Sequence, residues 1–225
     1  HASWTALREA SPVHRCEPDG YPPYWAVTRH ADICSISKTP AVFLSSPGIV
    51  HVLGGRVRDR ESGIGSMRTI IEMDPPQHRV YRKVASPWFT PNALGRLDEA
   101  VEASARELVD ELAGDSGEGE SDFVSAVAVR HPLRLLSTIL GVEREDEPRI
   151  LRVTNELFGS DDPDLQREGE DRDAAMKALG LELFEYFSKI IEDRRARPRD
   201  DLASVLANAS VEGEPMGPLE TFGYF

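Results

Sequence analysis

The sequence predicts a mainly α-helical protein with a small, β-rich corner near its N-terminus. After residue 73, apolar residues recur at steps of three and four through most of the chain, which is the period of an amphipathic helix. Strand-forming residues are concentrated early, above all in residues 24–28 (YWAVT). Long helical patterns and one short strand-forming stretch together favour a helical fold with a minor sheet.

The first part of the chain is expected to contain only short elements. Residues 1–23 are rich in proline and are expected to be irregular, and a strand at residues 24–28 follows them. Residues 30–38 (HADICSISK) predict a short helix, and residues 42–44 (VFL) form a second strand-like run. Residues 45–72 are rich in glycine and show no hydrophobic period, which predicts a long loop of the kind that is often functional.

Helices are expected from Asp74 onward. Asp74 is the predicted N-cap of the first helix, because Pro75 follows it at the first helical position and Gln77 lies three residues after the cap. Further helices are predicted over residues 90–114, 131–141, 145–158, about 174–197 and 200–206. Asp200 is the predicted cap of the last of these, and the acidic residues 160–173 are expected to form a solvated connector.

The overall charge and the cysteine content narrow the class of protein. The 225 residues contain 26 Lys and Arg against 39 Asp and Glu, which argues against nucleic acid as a partner because phosphate binding needs clustered positive charge. No apolar run approaches the ~18 residues of a membrane span, and the first residues carry no signal-peptide pattern. Cys16 and Cys34 lack the spacing of a metal site or redox pair and are interpreted as reduced thiols. These features predict a cytoplasmic protein that binds neither nucleic acid nor a membrane.

A cluster of cations stands out against this acidic background at the start of the first predicted long helix. His78 and Arg82 are four residues apart, so a helix places them on one face, roughly 6 Å apart along its axis. Arg79 and Lys83 form a second such pair, rotated by about 100°. No acidic residue neighbours them in this helix. Their imidazole and planar guanidinium groups are therefore suited to bind one or two carboxylates, which would belong to an external anion or a distant side chain. The alternative is that such a pair occurs by chance and is simply solvated.

The segment around this cluster resembles a known family. Residues 73–91 (MDPPQHRVYRKVASPWFTP) are similar to the third long helix of bacterial cytochrome P450 enzymes, with the pattern D-P-P-x-H-x-x-x-R followed by Phe-Thr-Pro. Further stretches resemble the family in the same order: residues 25–32 (WAVTRHAD), 43–46 (FLSS), 132–142 (PLRLLSTILGV) and 186–206.

The resemblance implies that residues 1–225 are the N-terminal portion of a single cytochrome P450-like domain, truncated where the central helix begins near residues 219–225. The apolar residues Phe222, Tyr224 and Phe225 likewise predict that the complete protein continues. The family holds heme propionates with the His and Arg that match His78 and Arg82. Neither cysteine of this chain matches the heme-ligating cysteine, which is therefore expected outside it, and the chain alone is expected to be inactive.

The resemblance also implies a function for the complete protein. It would be an oxidoreductase that uses heme iron to insert one atom of dioxygen into a small hydrophobic substrate, with electrons from a redox partner. The alternative is a non-catalytic acidic helical protein that binds an apolar ligand or a partner through its helix faces. The Soret absorption band of heme would distinguish the two.

Candidate substrate and partner residues follow from the same resemblance. In the family, the regions matching residues 55–72 and 157–180 roof the substrate pocket, and the apolar candidates there are Ile64, Met67, Ile70, Ile71, Leu157 and Phe158. Few polar groups lie among them, which favours a terpenoid, fatty acyl or sterol-like substrate; the alternative is that each is a plain core residue, as such residues more often are. Arg79 and Lys83 are the candidate contacts for an acidic iron–sulfur protein of the ferredoxin type, unless they are solvated surface cations.

Overall fold

The structure is a computed structural model, and it describes residues 1–46, 48, 69–114, 117, 120–159 and 172–225. These residues are mostly helical, with a small two-stranded sheet near the N-terminus, so the predicted fold class is confirmed. The chain forms two compact units, His1–Tyr81 and Arg82–Phe225. No helix in the described ranges is long and apolar enough to cross a membrane.

The first unit combines short helices with an antiparallel strand pair. Its elements are α1 (Ala2–Ala10), β1 (Val13–Cys16), β2 (Tyr24–Val27), α2 (His30–Ser37) and a 3-10 turn (Ile70–Glu72), and α3 (Gln77–Ala85) begins in it. The strand pair has the register Val13 to Val27 and Cys16 to Tyr24. The predicted strand at residues 24–28 and the helix at residues 30–38 are confirmed within a residue or two.

Two expectations for residues 1–44 are wrong. Residues 1–23 are not irregular, because they contain α1 and β1. Residues 42–44 form a turn instead of a strand, since the backbone N–H groups of Val42 and Phe43 both donate to the carbonyl of Thr39. Their apolar side chains lie exposed.

The second unit is a packed set of helices. Its helices are α4 (Pro91–Leu94), α5 (Asp98–Ala113), α6 (Arg130–Leu140), α7 (Glu147–Phe158), α8 (Arg172–Ala196), α9 (Leu202–Ala207) and α10 (Pro218–Phe222). A short antiparallel pair, β3 (Ser210–Val211) and β4 (Glu214–Pro215), connects the last two helices. Most predicted helices are confirmed, but the one expected over residues 90–114 is interrupted by a 3-10 turn at Gly95–Leu97, where glycine weakens the helix.

The core of this unit lies where α9 meets the segment after α3. Ala85, Trp88, Leu202 and Leu206 are buried together, and Leu206 is fully inaccessible. Partly buried residues packed against them are Val84, Leu97, Ile139, Leu140, Tyr224 and Phe225. The ring of Phe225 also stacks on Phe187 of α8, at 4.5 Å between ring centroids. Apolar contacts therefore join α8, α9 and the residues after α10.

A buried group of charges ties α6, α8 and α9 together. We call Arg194, Asp201, Asp193 and Gly141 the Arg194 cluster. Arg194 and Asp201 are only 3% and 6% exposed. Nε of Arg194 lies 2.6 Å from Oδ2 of Asp201, its Nη1 lies 2.6 Å from Oδ2 of Asp193, and its Nη2 donates to the carbonyl of Gly141 at 3.2 Å. Hydrogen bonds from Arg197 and Arg194 lower the pKa of Asp193.

The Arg194 cluster also determines how α9 begins. The predicted cap Asp200 is wrong: Asp201 is the N-cap, and its Oδ1 accepts a hydrogen bond from the backbone N–H of Ser204 at 2.7 Å. Asp200 instead pairs with Arg96 at 2.6 Å on the surface. Gly141, with φ of +69°, ends α6 at a point where a Cβ would lie 2.6 Å from Nη2 of Arg194 and 2.8 Å from Oδ2 of Asp201. Only glycine combines this left-handed backbone with such a close approach.

Candidate functional site

Helix α3 carries four cations that we call the cationic turn: His78, Arg79, Arg82 and Lys83. The first turn of the helix contains no acidic residue. Across the described part of the chain, no carboxylate forms an ion pair or hydrogen bond with any of the four side chains. Among the described residues, the cationic turn thus carries positive charge that no carboxylate neutralises, on a chain of formal net charge -13.

The four cations fall on two sides of α3. Tyr81 and Ala85 are buried, at 7% and 9% exposure, and mark the inward side of the helix. At about 100° per residue, His78 and Arg82 border this buried stripe, whereas the other pair points away from it. His78 is half-buried, and the other three cations are exposed. The helix thus separates two cation pairs, one at the margin of the interior and one facing solvent.

The start of α3 differs from the prediction. The helix begins at Gln77, and the carboxylate of Asp74 accepts hydrogen bonds from the backbone N–H groups of Ser45 at 2.7 Å and Ser46 at 3.1 Å. The main-chain carbonyl of Asp74 accepts the N–H of His78 at 3.0 Å. The predicted side-chain cap at Asp74 is therefore wrong, because its carboxylate is directed to a segment 28 and 29 residues earlier.

The apolar candidates occupy two separate elements. Ile70 and Ile71 lie in the 3-10 turn before α3, where Ile70 is half-buried and Ile71 is 59% exposed. Leu157 and Phe158 end α7, where Leu157 is half-buried and Phe158 is 82% exposed. Ile64 and Met67 lie outside the described residues. The two exposed side chains are available for contact with a ligand or another segment, and their role in substrate binding stays a prediction.

The cysteines lie in regular elements of the first unit. Cys16 ends β1 and Cys34 lies in α2, and both are half-buried free thiols. Sγ of Cys34 is 3.5 Å from Nε2 of His30, one helical turn away. Where residues are described, no group of three or more His, Cys, Asp or Glu side chains is arranged to hold a metal ion.

A cleft of about 240 Å³ is lined by residues of α5 and α6, and none of its lining residues is a predicted site residue. Its charged side chains neutralise one another: Arg134 pairs with Glu107 at 3.1 Å, and Arg144 also pairs with Glu107. The hydrogen bond from Arg144 lowers the pKa of the Glu107 carboxyl. We interpret this cleft as part of an ion-pair network between helices.

Individual known proteins align with nearly the entire chain. No protein-family model matches it. Cytochrome P450-terp of a Pseudomonas species is 33% identical over 92% of this chain and 50% of its own length. Linalool 8-monooxygenase of Pseudomonas putida is 32% identical over 99% of this chain and 54% of its own length. The chain therefore spans about half the length of the curated relatives it matches.

Solved structures agree with these relatives. A cytochrome P450 of Mycobacterium marinum in complex with pseudoionone has a TM-score of 0.83 and 32% identity, over 99% of this chain and 54% of that one. A protein of Novosphingobium aromaticivorans has a TM-score of 0.82 and 33% identity, over 99% of this chain and 53% of that one. The fold and these matches define the class as that of the bacterial P450 proteins. The chain belongs to the cytochrome P450 family.

The cationic turn fits the anionic edge of the heme that this family implies. Heme carries two propionate carboxylates, and His78 and Arg82 supply a ring donor and a planar fork on one face of α3. Neither side chain is already neutralised by a carboxylate among the described residues. Cys16 and Cys34 lie in β1 and α2, and neither matches the cysteine that ligates the heme iron in the family. His78 and Arg82 thus suit one edge of a heme.

Proposed function

We propose that these 225 residues are the N-terminal portion of a single P450 domain, and that the complete protein is a heme-dependent monooxygenase. The observation that carries the proposal is the cationic turn on α3 in a chain of the cytochrome P450 family. When bound, heme supplies the chemistry of oxygen activation, in which two electrons and two protons convert one oxygen atom to water and the other enters the substrate. The axial cysteine would come from outside this chain.

The contribution of this chain would be to orient the cofactor. A guanidinium donates two parallel hydrogen bonds to a carboxylate, and a half-buried imidazole adds a third donor at a fixed distance along the helix. Arg82 and His78 would together fix the propionate edge and offset its negative charge. Because both lie on one rigid helix, the cofactor would be held in one orientation.

The test is the absorption spectrum of the complete protein. A red protein with a Soret band supports heme binding, and oxidation of a substrate with a matched reductant supports monooxygenation. A colourless complete protein would favour the non-catalytic alternative, in which exposed apolar side chains such as Phe158 bind a partner or apolar ligand.

A small hydrophobic substrate is proposed for the complete protein. Relatives include proteins named linalool 8-monooxygenase and steroid C26-monooxygenase, which supports a terpenoid or sterol-like compound. The candidate side chains of this chain are apolar, and Ile71 and Phe158 lie largely exposed, as ligand contacts require. A cytoplasmic location is part of the same proposal.

Replacing Ile71 by Ala is expected to change which substrates perturb the heme spectrum while leaving the fold intact. The change removes three carbons from a side chain that is already 59% exposed, so stability should vary little. If Ile71 contacts the substrate, the lost apolar contact should weaken binding by about 1–2 kcal/mol, or about tenfold in the dissociation constant. Spectral titration with a series of apolar compounds measures this.

The matched control for Ile71→Ala is Ile33→Ala on α2, a 45% exposed isoleucine outside the predicted pocket residues. Its titrations should equal those of the wild type. Identical titrations for wild type and the Ile71 variant would assign Ile71 to packing instead of recognition.

Arg79 and Lys83 are proposed to contact an acidic electron donor of the ferredoxin type. They are exposed and lie on the side of α3 that points away from its buried stripe, so they cannot share the propionates with His78 and Arg82. A chain of net charge -13 repels an acidic partner at long range, and a local basic patch would favour the correct docking orientation.

Charge reversal at both positions, Arg79→Glu with Lys83→Glu, is expected to slow reduction by the donor by about tenfold or more at low salt. The effect should shrink as ionic strength rises, because the Debye length falls to about 10 Å at 0.1 M. Heme content should not change. Stopped-flow reduction over a salt series measures both effects.

The control for this experiment is Lys38→Glu with Lys189→Glu, which changes the net charge equally at exposed positions outside α3 and outside the predicted pocket regions. Wild-type reduction rates in the α3 variant at low salt would make Arg79 and Lys83 ordinary surface residues. Equal slowing in both variants would also contradict a local docking role, since it would reflect net charge alone.

A further inference from the structure

Asp74 joins the start of α3 to a distant segment of the first unit. Its carboxylate accepts two backbone N–H groups, from Ser45 at 2.7 Å and from Ser46 at 3.1 Å. Its main-chain carbonyl accepts the N–H of His78 at 3.0 Å. One half-buried residue thus holds the second residue of α3 through its backbone and residues 45–46 through its side chain.

We propose that Asp74 is a positioning residue that holds His78 in the place from which it contacts a heme propionate. This inference rests on the proposed function and deepens it. Asp74 does not touch the cofactor in this proposal. It acts through the backbone of the first turn of α3.

The connection between Asp74 and His78 is short and stiff. Only Pro75, Pro76 and Gln77 separate them, and the rings of the two prolines restrict their φ angles to about −65°. With few free torsions and a hydrogen bond closing the turn, fixing Asp74 largely fixes the backbone of His78. A ring donor that makes a single hydrogen bond depends strongly on such placement, because hydrogen bonds weaken steeply with distance and angle.

The hydrogen bonds of Asp74 are well suited to hold the segment. An ionised carboxylate that accepts backbone N–H groups forms charge-assisted bonds, which are stronger than neutral ones. In the part of the chain that the structure describes, no Lys, Arg or His side chain forms an ion pair with Asp74, and its carboxylate accepts hydrogen bonds from the two amides. If the Asp74 carboxylate stabilised α3 alone, it would be expected to accept a hydrogen bond from a backbone N–H in the first turn of that helix. Its direction toward residues 45–46 indicates that α3 is anchored to that segment.

The test is a double-mutant cycle in the complete, heme-loaded protein. The variants are Asp74→Ala, His78→Ala and the double variant, and the measured quantity is the rate of heme transfer to an excess of an apo heme-binding protein. Asp74→Ala should speed heme loss by about tenfold in the wild-type background, because two charge-assisted bonds are removed. In the His78→Ala background the same change should alter the rate less than about twofold, because the residue through which Asp74 acts is gone.

A merely structural role would give the same factor in both backgrounds, and that result overturns the proposal. Asp74→Asn keeps one acceptor oxygen and should give an intermediate rate, and it replaces the alanine variant if that one does not fold. Asp98→Ala, which removes an exposed carboxylate from the first turn of α5, should leave heme loss unchanged. Equal acceleration by Asp98→Ala also counts against a specific role for Asp74.

Amide hydrogen exchange at Ser45 and Ser46 provides a readout independent of heme. Asp74→Ala should increase exchange at both amides, since each loses its acceptor. Unchanged exchange there overturns the proposal even if heme loss is faster. If the complete wild-type protein bound no heme, the proposed function would fail and the positioning role with it, whereas equal factors in a heme-loaded protein overturn the positioning role alone.

Discussion

The Asp201→Ala variant is expected to lose about 3–5 kcal/mol of unfolding free energy. Arg194 is 3% exposed, and the substitution leaves its guanidinium with Asp193 as its remaining carboxylate partner. Breaking a buried pair is costly because the surviving charge stays out of water. The variant also removes the side-chain cap of α9, whose loss typically costs about 1 kcal/mol. Chemical denaturation followed by circular dichroism measures the change.

Asp200→Ala is the matched control for this prediction. Asp200 adjoins Asp201, but its side chain is 80% exposed and its partner Arg96 is 34% exposed. Exposed pairs of this kind contribute less than about 1 kcal/mol, so this variant should unfold close to the wild type. Equal denaturation midpoints for the two variants would show that the Arg194 cluster contributes no more to stability than a surface ion pair.

In the complete protein, Arg82→Ala is expected to lose heme faster than the wild type, by up to about a hundredfold. The substitution leaves a propionate without its charge-assisted partner, and such a loss is worth on the order of 3 kcal/mol when the site is dry. Arg82 is exposed in this chain, so residual solvent at the site would reduce the effect. His78→Ala should have a smaller effect, because an imidazole provides one hydrogen bond where a guanidinium can provide two. Heme content and the rate of heme transfer measure both.

Arg79→Ala is the control for Arg82→Ala. It removes a guanidinium from the same helix but from the side that points away from the buried stripe. It should retain heme like the wild type. If the two arginine variants lost heme at the same rate, the assignment of Arg82 to the propionates would be contradicted, and general charge would be the better explanation.

Hydrophobic periodicity was sufficient to predict the long helices. The predicted helix at 145–158 corresponds to a 3-10 turn followed by α7, and the one at about 174–197 corresponds to α8. Periodicity did not reveal the interruption at Gly95–Leu97, because the apolar steps continue through it. A 3-10 turn changes the local hydrogen bonding without changing which residues are apolar.

The N-terminal elements were harder to predict because their signals are weak. β1 spans four residues, two of them His14 and Arg15, and its partner strand supplies the pairing that stabilises it. α1 is nine residues long and has no buried residue, so it contributes no side chain to the buried core. Pairing with β2, and not local composition, decides β1.

The choice between Asp200 and Asp201 illustrates a similar limit. Both are good caps and they are adjacent, so local propensity cannot separate them. Their ion-pair partners differ in the structure. Asp200 pairs with Arg96 at the surface, and Asp201 pairs with the buried Arg194. Asp74 was misassigned for the same reason, since its partners lie 28 and 29 residues away.

The arrangement of the cations in the candidate site was predictable, because one short motif contains all four of them. The four cations of α3 lie within six residues of one another, and a helix arranges them without help from the rest of the chain. The apolar candidates are spread over residues 64–158, and their grouping depends on tertiary structure that a hydrophobic pattern does not contain. Sequence alone therefore predicts the arrangement of the four cations more readily than any grouping of the apolar candidates.

The Arg194 cluster has a consequence for how the second unit opens. Its members come from the end of α6, from α8 and from the start of α9, so none of these segments can detach without exposing or stranding a buried charge. Segments linked in this way are expected to exchange their amide hydrogens through one shared sub-global opening. If the segments frayed independently, each would instead exchange at its own rate. The slowest-exchanging amides around Gly141, Arg194 and Ser204 should consequently report a single cooperative unit.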